Sequence, residues 1–139
     1  MYNSLAKHNI LSDQSKCYTK LAVYNGLDTK SYKDKQDFTG SIINQIDDTL
    51  NYAKLLNTTS AIITGEAKRE ERASYPVEAI REAIINAFAH RDYSQSADIR
   101  IEFFDNRVEV HSRGVTRRLS MCLINRIYGE FWFWNKTDL

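Results

Sequence analysis

The stretch YPVEAIREAIINAFAHRDYS, residues 75–94, places Glu82, Asn86 and His90 at four-residue spacing and then runs into Arg91-Asp92-Tyr93. A carboxylate, a carboxamide and an imidazole are side chains that move protons and hold metal ions. Four residues along an α-helix rotate the side chain by only about 40°, so the three line one stripe. Ala79, Ile80, Ala83, Ile84, Ala87 and Phe88 fill most of the remaining surface, with Ile85 and Ala89 beside the stripe. So apolar a helix is expected to be largely buried. Polar groups projecting from it then need partners, because an unpaired buried polar group costs about 1–3 kcal/mol and a charge more. A metal ion with its waters would meet that need, as would the wall of a ligand pocket. A solvated polar face is the alternative.

The helix needs a start, a stop and a surface to lie on. Pro76, the single proline, suits the first helical position, where its missing N–H would be unpaired anyway. The helix is expected to run to about His90. A second helix is expected over Thr39 to about Leu56, with Ile42, Ile43, Ile46, Leu50 and Ala53 as its apolar stripe. Thr39 or Asp37 would cap it, Gly40 would lie in its first turn, and Asn57 would stop it. Residues 98–111 alternate around Asp105-Asn106, which predicts a hairpin. Ile99, Ile101 and Phe103 would share one face, and Val108 and Val110 alternate with Arg107 and Glu109 on the returning strand. Residues 17–24 read as a strand ending in an Asn25-Gly26 turn, 27–37 as a charged loop, 58–64 as a strand, and 65–74 as a solvated strand or loop. Residues 115–139 carry no clean period and include both tryptophans, in FWFW.

The 139 residues suit one domain, or a small domain with flanking pieces, burying about two thirds of the unfolded surface. Hydrophobic residues at 42% and charged residues at 27% describe a globular chain, not a disordered one. A net charge of +1 leaves no global basic footprint of the sort nucleic-acid binding needs. Direct DNA binding would require a patch built from Lys16, Lys20, Lys30, Lys33 and Lys35. Cys17 and Cys122 stand far apart without a partner motif, which fits small apolar filler in a reducing compartment. With no signal peptide and no apolar run of transmembrane length, the expected location is cytoplasmic, with no membrane partner.

The motif REAIINAFAHRDYS followed by IRIEFFDNRVEVHS resembles the carboxy-terminal half of bacterial proteins described as RecG-like helicases or transcriptional regulators. Those proteins join an AlbA/Schlafen-type DNA-binding domain to a GHKL-type ATP-binding domain, the fold of gyrase B, MutL and the histidine kinases. The resemblance runs from about residue 17 to residue 114, and its front part is LAVYNGLDTKSYKDKQDFTGSIINQIDDTLNYAKLL. It implies three parts: the tail end of an AlbA-type domain over 1–36, a connecting helix and partial GHKL-type domain over 37–114, and an unrelated or aberrant tail over 115–139. The fold it implies is α+β, a partial GHKL-like two-layer sandwich with a mainly antiparallel sheet and helices on one face. The cofactors it implies are ATP and Mg²⁺. The partners it implies are a nucleotide, DNA through the AlbA-type portion, and a second copy in a homodimer.

In that family the helix carries the N-box. By position, Glu82 matches the acidic residue that orients or deprotonates water, and Asn86 the residue whose side-chain oxygen binds Mg²⁺. His90 and Arg91 would lie toward the phosphates, or would simply cap the helix C-terminus, where the dipole favours them. Ser112 and Gly114 keep their places in a second nucleotide motif. There relatives read roughly SPGG, whereas this chain reads His111-Ser112-Arg113-Gly114-Val115. Arg113 and Val115 cannot copy a turn that depends on glycine at positive φ. Past the helix only Gly114 and Gly129 remain of the five glycines, so no glycine-rich lid follows. Whether such a chain hydrolyses ATP stays open, and a non-catalytic regulatory or dimerisation module that keeps the fold is the alternative. The abrupt end of the resemblance points to a shifted reading frame near codon 113. The coding DNA tests this: another frame should restore a PGG turn and a lid, and if none does, the frame-shift idea fails.

Overall fold

In a computed structural model, residues 17–57, 60–62, 70–72, 75–114, 119–125 and 131–135 are described, with backbone alone for 60–62, 70–72, 119–125 and 131–135. The strands are β1 (Thr19–Tyr24), β2 (Tyr32–Phe38), β3 (Ser60–Ile62), β4 (Glu70–Arg72), β5 (Ile99–Phe103), β6 (Arg107–Arg113), β7 (Leu119–Asn125) and β8 (Phe131–Asn135). The helices are α1 (Ile42–Leu56) and α2 (Val77–Ala89). Six strands form one sheet in the order β2-β1-β5-β6-β7-β8, while β3 and β4 pair separately. Every pairing in the large sheet is antiparallel except β1 with β5. This is the expected α+β architecture, a mainly antiparallel sheet with helices on one face.

The sheet's period-two pattern sorts its residues. Leu21 pairs with Ile101, and Ile101 with Val110, so a row of fully buried aliphatics crosses three strands. Ile42 and Ala53 of α1 and Ile80, Ala83, Ile84, Ala87 and Phe88 of α2 close over that row in one core. The opposite face carries Lys20, Tyr24, Arg100, Glu102, Glu109 and His111. The expected 98–111 hairpin is present, with Phe104 N donating to Arg107 O at 2.8 Å across Asp105-Asn106. Its tip docks on the 25–31 connection, where Asp105 N donates to Gly26 O at 3.1 Å.

Several expectations are corrected. Residues 32–38 are not loop but β2, an edge strand whose side chains are exposed until Phe38. Its Lys and Asp residues hide the period, and they are what guards a sheet edge from further pairing. The N-cap of α1 is Ser41, not Thr39 or Asp37, and Ser41 Oγ accepts from Asn44 N at 3.3 Å. Gly40, expected in the first turn, stands ahead of the helix at φ 95°, a left-handed conformation that bars an earlier start. Ile43 lies on the exposed side at 58% exposure, and the buried face instead takes Gln45 and Thr49. Asn57 does stop α1, its N–H donating to Ala53 O. Residues 36 and 37 both belong to β2, and β1 shares its sheet with the 98–111 hairpin. Residues 119–125 and 131–135 extend that same sheet beyond β6. Of the expected elements at 58–64 and 65–74, the parts outside β3 and β4 lie outside the described residues.

Gln45 explains why a polar residue sits in the core. Its side chain accepts from Thr19 Oγ1 at 2.9 Å and donates to Cys17 O at 2.7 Å and Gly40 O at 2.8 Å. One amide thereby joins the start of β1, the turn before α1 and α1 itself. Replacing Gln45 with Leu should cost about 2–4 kcal/mol, because it removes the partner of the buried Thr19 hydroxyl and breaks the bonds to two backbone carbonyls. Urea unfolding checks this: the midpoint should fall while the slope stays unchanged.

Candidate functional site at the C-terminal end of the long-motif helix

Helix α2 is held at both ends before it presents anything. At the start, Asn57 forms a two-way clamp with the Tyr75 backbone: Nδ2 donates to Tyr75 O at 2.9 Å and Tyr75 N donates to Oδ1 at 2.8 Å. Tyr75 Oη also donates to Phe104 O at 2.8 Å, tying the helix entry to the hairpin tip. Pro76 is the N-cap residue and brings no side-chain bond. At the far end His90 is the C-cap, its N–H donating to Asn86 O at 3.0 Å.

Between these ends only one side of α2 is buried. Glu82 and His90 are exposed and Asn86 is half-buried, so the stripe is a face turned outward and not one sunk in the core. The residues that bury are the small and aliphatic ones at the opposite side, which are enough to seat a helix on a sheet. Among the described residues, the side chains of Glu82, Asn86 and His90 have no hydrogen-bond partner. For Asn86 this leaves a half-buried carboxamide with both of its polar atoms available.

The other sequence-derived residues gather at the C-terminal end of α2 but turn inward. Arg91 is 3% exposed, its guanidinium donates to Ala97 O, and its Nε has no partner among the described residues. The group lies 5.4 Å from the centre of the Tyr93 ring. Its backbone forms a bridge with Gly114, and Asp92 N donates to Arg113 O at 2.7 Å. Ser112 is buried, and its hydroxyl donates to Ala87 O at 2.8 Å. Asp92 accepts from Ser94 N at 3.0 Å, Ser94 Oγ at 2.6 Å and Gln95 Nε2 at 2.9 Å. These bonds, led by those from Ser94, hold its carboxyl below the ordinary value. Arg91 and Gly114 therefore bridge beside the end of α2, and Ser112 reaches its last turn. Their hydrogen bonds among the described residues go to protein backbone, and the Arg91 guanidinium also lies over the Tyr93 ring.

Sequence reasoning missed a second polar cluster, on the sheet face away from the helices. Glu102 and Glu109 are cross-strand partners. His111 Nε2 lies 3.2 Å from Glu102 Oε2 and 3.1 Å from Glu109 Oε2. Tyr24 Oη donates to Glu102 at 3.4 Å, and Arg107 pairs with Glu109. The three donor atoms lie within 4.8 Å of one another, which is ligand spacing, yet each already has a protein partner. The cluster is a hydrogen-bonded network that joins β1, β5 and β6. Its signal was present in the hairpin, since a turn at Asp105-Asn106 fixes the register that puts Glu102 opposite Glu109.

No family model matches the chain, and no curated protein matches it. A solved structure to which it is similar is that of the DIP2311 protein from Corynebacterium diphtheriae, with a TM-score of 0.61 and 22% identity. The match covers 69% of this chain and 20% of that one, so the chain spans about a fifth of the length of that protein. The likeness is one of fold. Among the described residues, no helix is long and apolar enough to cross a membrane.

The Glu102 carboxyl is held below its ordinary value, chiefly by the His111 hydrogen bond, against burial, which pushes the other way. The folded value therefore lies below the unfolded one. Its stabilisation is present above the unfolded value of about 4.3 and is lost as pH falls through the lowered folded value. Glu102→Gln should lose this acid limb. Urea midpoints measured at about pH 7 and about pH 3.5 should differ less in the variant than in the native chain.

Proposed function

We propose that α2 is the magnesium–nucleotide helix of a partial GHKL-type ATP-binding domain, belonging to a DNA-associated regulator of the bacterial cytoplasm. The observation that carries this reading is Asn86, half-buried, one turn after Glu82 and without a protein partner for its carboxamide among the described residues. A half-buried amide with free donors and acceptor calls for a ligand or water. The α+β arrangement and the motif REAIINAFAHRDYS support the same reading.

The donor set fits Mg²⁺. That ion takes hard oxygen ligands, keeps several of its waters and shares phosphate oxygens. The Asn86 Oδ1 would hold it without adding negative charge beside a triphosphate. The ion, when bound, supplies charge neutralisation to the phosphates. Glu82, exposed and one turn earlier, is placed to accept a proton from a water on the same face. His90 is exposed at the helix end and offers an imidazole donor or acceptor there. Arg91 acts differently from what its position in the motif implies, since its buried guanidinium is engaged with Ala97.

The alternative, a non-catalytic regulatory or dimerisation module, is favoured by a separate observation. Ser112 donates into α2, Gly114 bridges Arg91, and the strand β6 continues through the segment where relatives turn with glycines. Backbone N–H groups spent on strand pairing do not cradle phosphates.

Calorimetric titration with ATP, with and without Mg²⁺, separates the readings. The native chain should show magnesium-dependent heat, and Asn86→Ala should lose it by at least about tenfold in affinity, as removal of a metal ligand does. Glu82→Gln should leave binding in place and remove any hydrolysis. Absence of heat at millimolar nucleotide would favour the non-catalytic module.

A further inference from the structure

We infer that Ser112 and Tyr93 are positioning residues for Asn86, acting through the last turn of α2. The inference rests on the reading of α2 as a magnesium–nucleotide helix. An α-helix leaves the carbonyls of its final turn without intrahelical partners. In α2 the Asn86 carbonyl is taken by the His90 N–H at 3.0 Å. The next two carbonyls are taken by side chains from outside the helix. Ser112 Oγ donates to Ala87 O at 2.8 Å, and Tyr93 Oη donates to Phe88 O at 2.6 Å.

The two anchors arrive from different directions. Ser112 belongs to β6 and ties the turn to the sheet. Tyr93 belongs to the chain leaving the helix and folds back over it, its ring packed against the core. Burial pushes the Tyr93 hydroxyl up to about 12, so it stays a proton donor throughout the physiological range. Asp92 N to Arg113 O at 2.7 Å and the Arg91–Gly114 bridge close the same junction from the backbone side. Asn86 immediately precedes the two anchored carbonyls. Its side chain makes no bond of its own among the described residues, so its placement is inherited from the backbone of this turn. A metal ligand displaced by a fraction of an ångström loses much of its value, which is why such supporting bonds matter. The resemblance puts Ser112 in a second nucleotide motif, whereas here its proton is committed to the helix.

The test compares native chain, Ser112→Ala, Ser112→Thr and Tyr93→Phe by ATP calorimetry with and without Mg²⁺ and by thermal unfolding. Ser112→Ala and Tyr93→Phe should each weaken magnesium-dependent binding about three- to tenfold, the factor that loss of one hydrogen bond carries. Ser112→Thr, which keeps the hydroxyl, should restore it. Tyr93→Phe removes a single oxygen and guards against a variant that merely fails to fold. If both variants unfold at lower temperature yet bind as tightly as the native chain well below that temperature, the two residues are structural only and the inference is overturned. If the native chain itself binds no nucleotide, Asn86 has no ligand to be placed for, and the inference falls together with the reading it rests on.

Discussion

A helix that ends against a sheet must do something with carbonyls that point out of its last turn, and in this protein that requirement organises the molecule around the candidate site. The carbonyls of Ala87 and Phe88 receive hydroxyl protons from Ser112 and Tyr93. Because Ser112 lies on β6, satisfying a helix end also fixes the height of α2 on the sheet. The apolar contact of Ile80, Ala83, Ile84 and Ala87 with the Ile101–Val110 row supplies the non-directional part of the attachment. The hydroxyl bonds supply direction.

The other end of α2 shows the same division of labour. Asn57 finishes α1 and then pairs twice with the Tyr75 backbone, so one side chain closes the first helix and sets the start of the second. Tyr75 passes the constraint to Phe104 at the hairpin tip. Gln45 does for α1 and β1 what Ser112 does for α2 and β6. Each is a buried polar group with its partners in place, and each joins segments distant in sequence. Such bonds contribute modestly to net stability but cost much when one partner is removed, so they specify one arrangement among the many that hydrophobic burial would allow.

The outward stripe of α2 stands apart from this frame. Among the described residues, the side chains of Glu82, Asn86 and His90 make no hydrogen bond, while Arg91, one residue further, is buried in the junction with Gly114 and Ala97. The boundary between side chains that face outward and side chains that are buried therefore falls between His90 and Arg91. Side-chain type does not predict that boundary, since an arginine at a helix end suits either role. Burial decides it. The polar face of the sheet shows the converse case, with carboxylates and an imidazole at ligand spacing, each already bonded to a protein group.

Periodicity alone determined that both helices and the 98–111 hairpin exist, and in α2 and the hairpin it also gave the apolar rows, because local pattern and burial agree there. It also placed Glu82, Asn86 and His90 on one stripe, since four-residue spacing on a helix leaves no other arrangement. Periodicity failed at β2, where an edge strand has no buried face to write an alternation, and at Gln45, whose partners Thr19, Cys17 and Gly40 come from other elements. It failed also to show that the stripe faces outward, because an apolar helix reads the same whether one side or all sides are covered. Only the tertiary structure decided that the Asn86 side chain has no partner among the described residues while Arg91 bridges Gly114 and Ser112 bonds the last turn of α2. That choice depends on which strand ends beside the last turn of α2, a long-range contact on which the local sequence is silent.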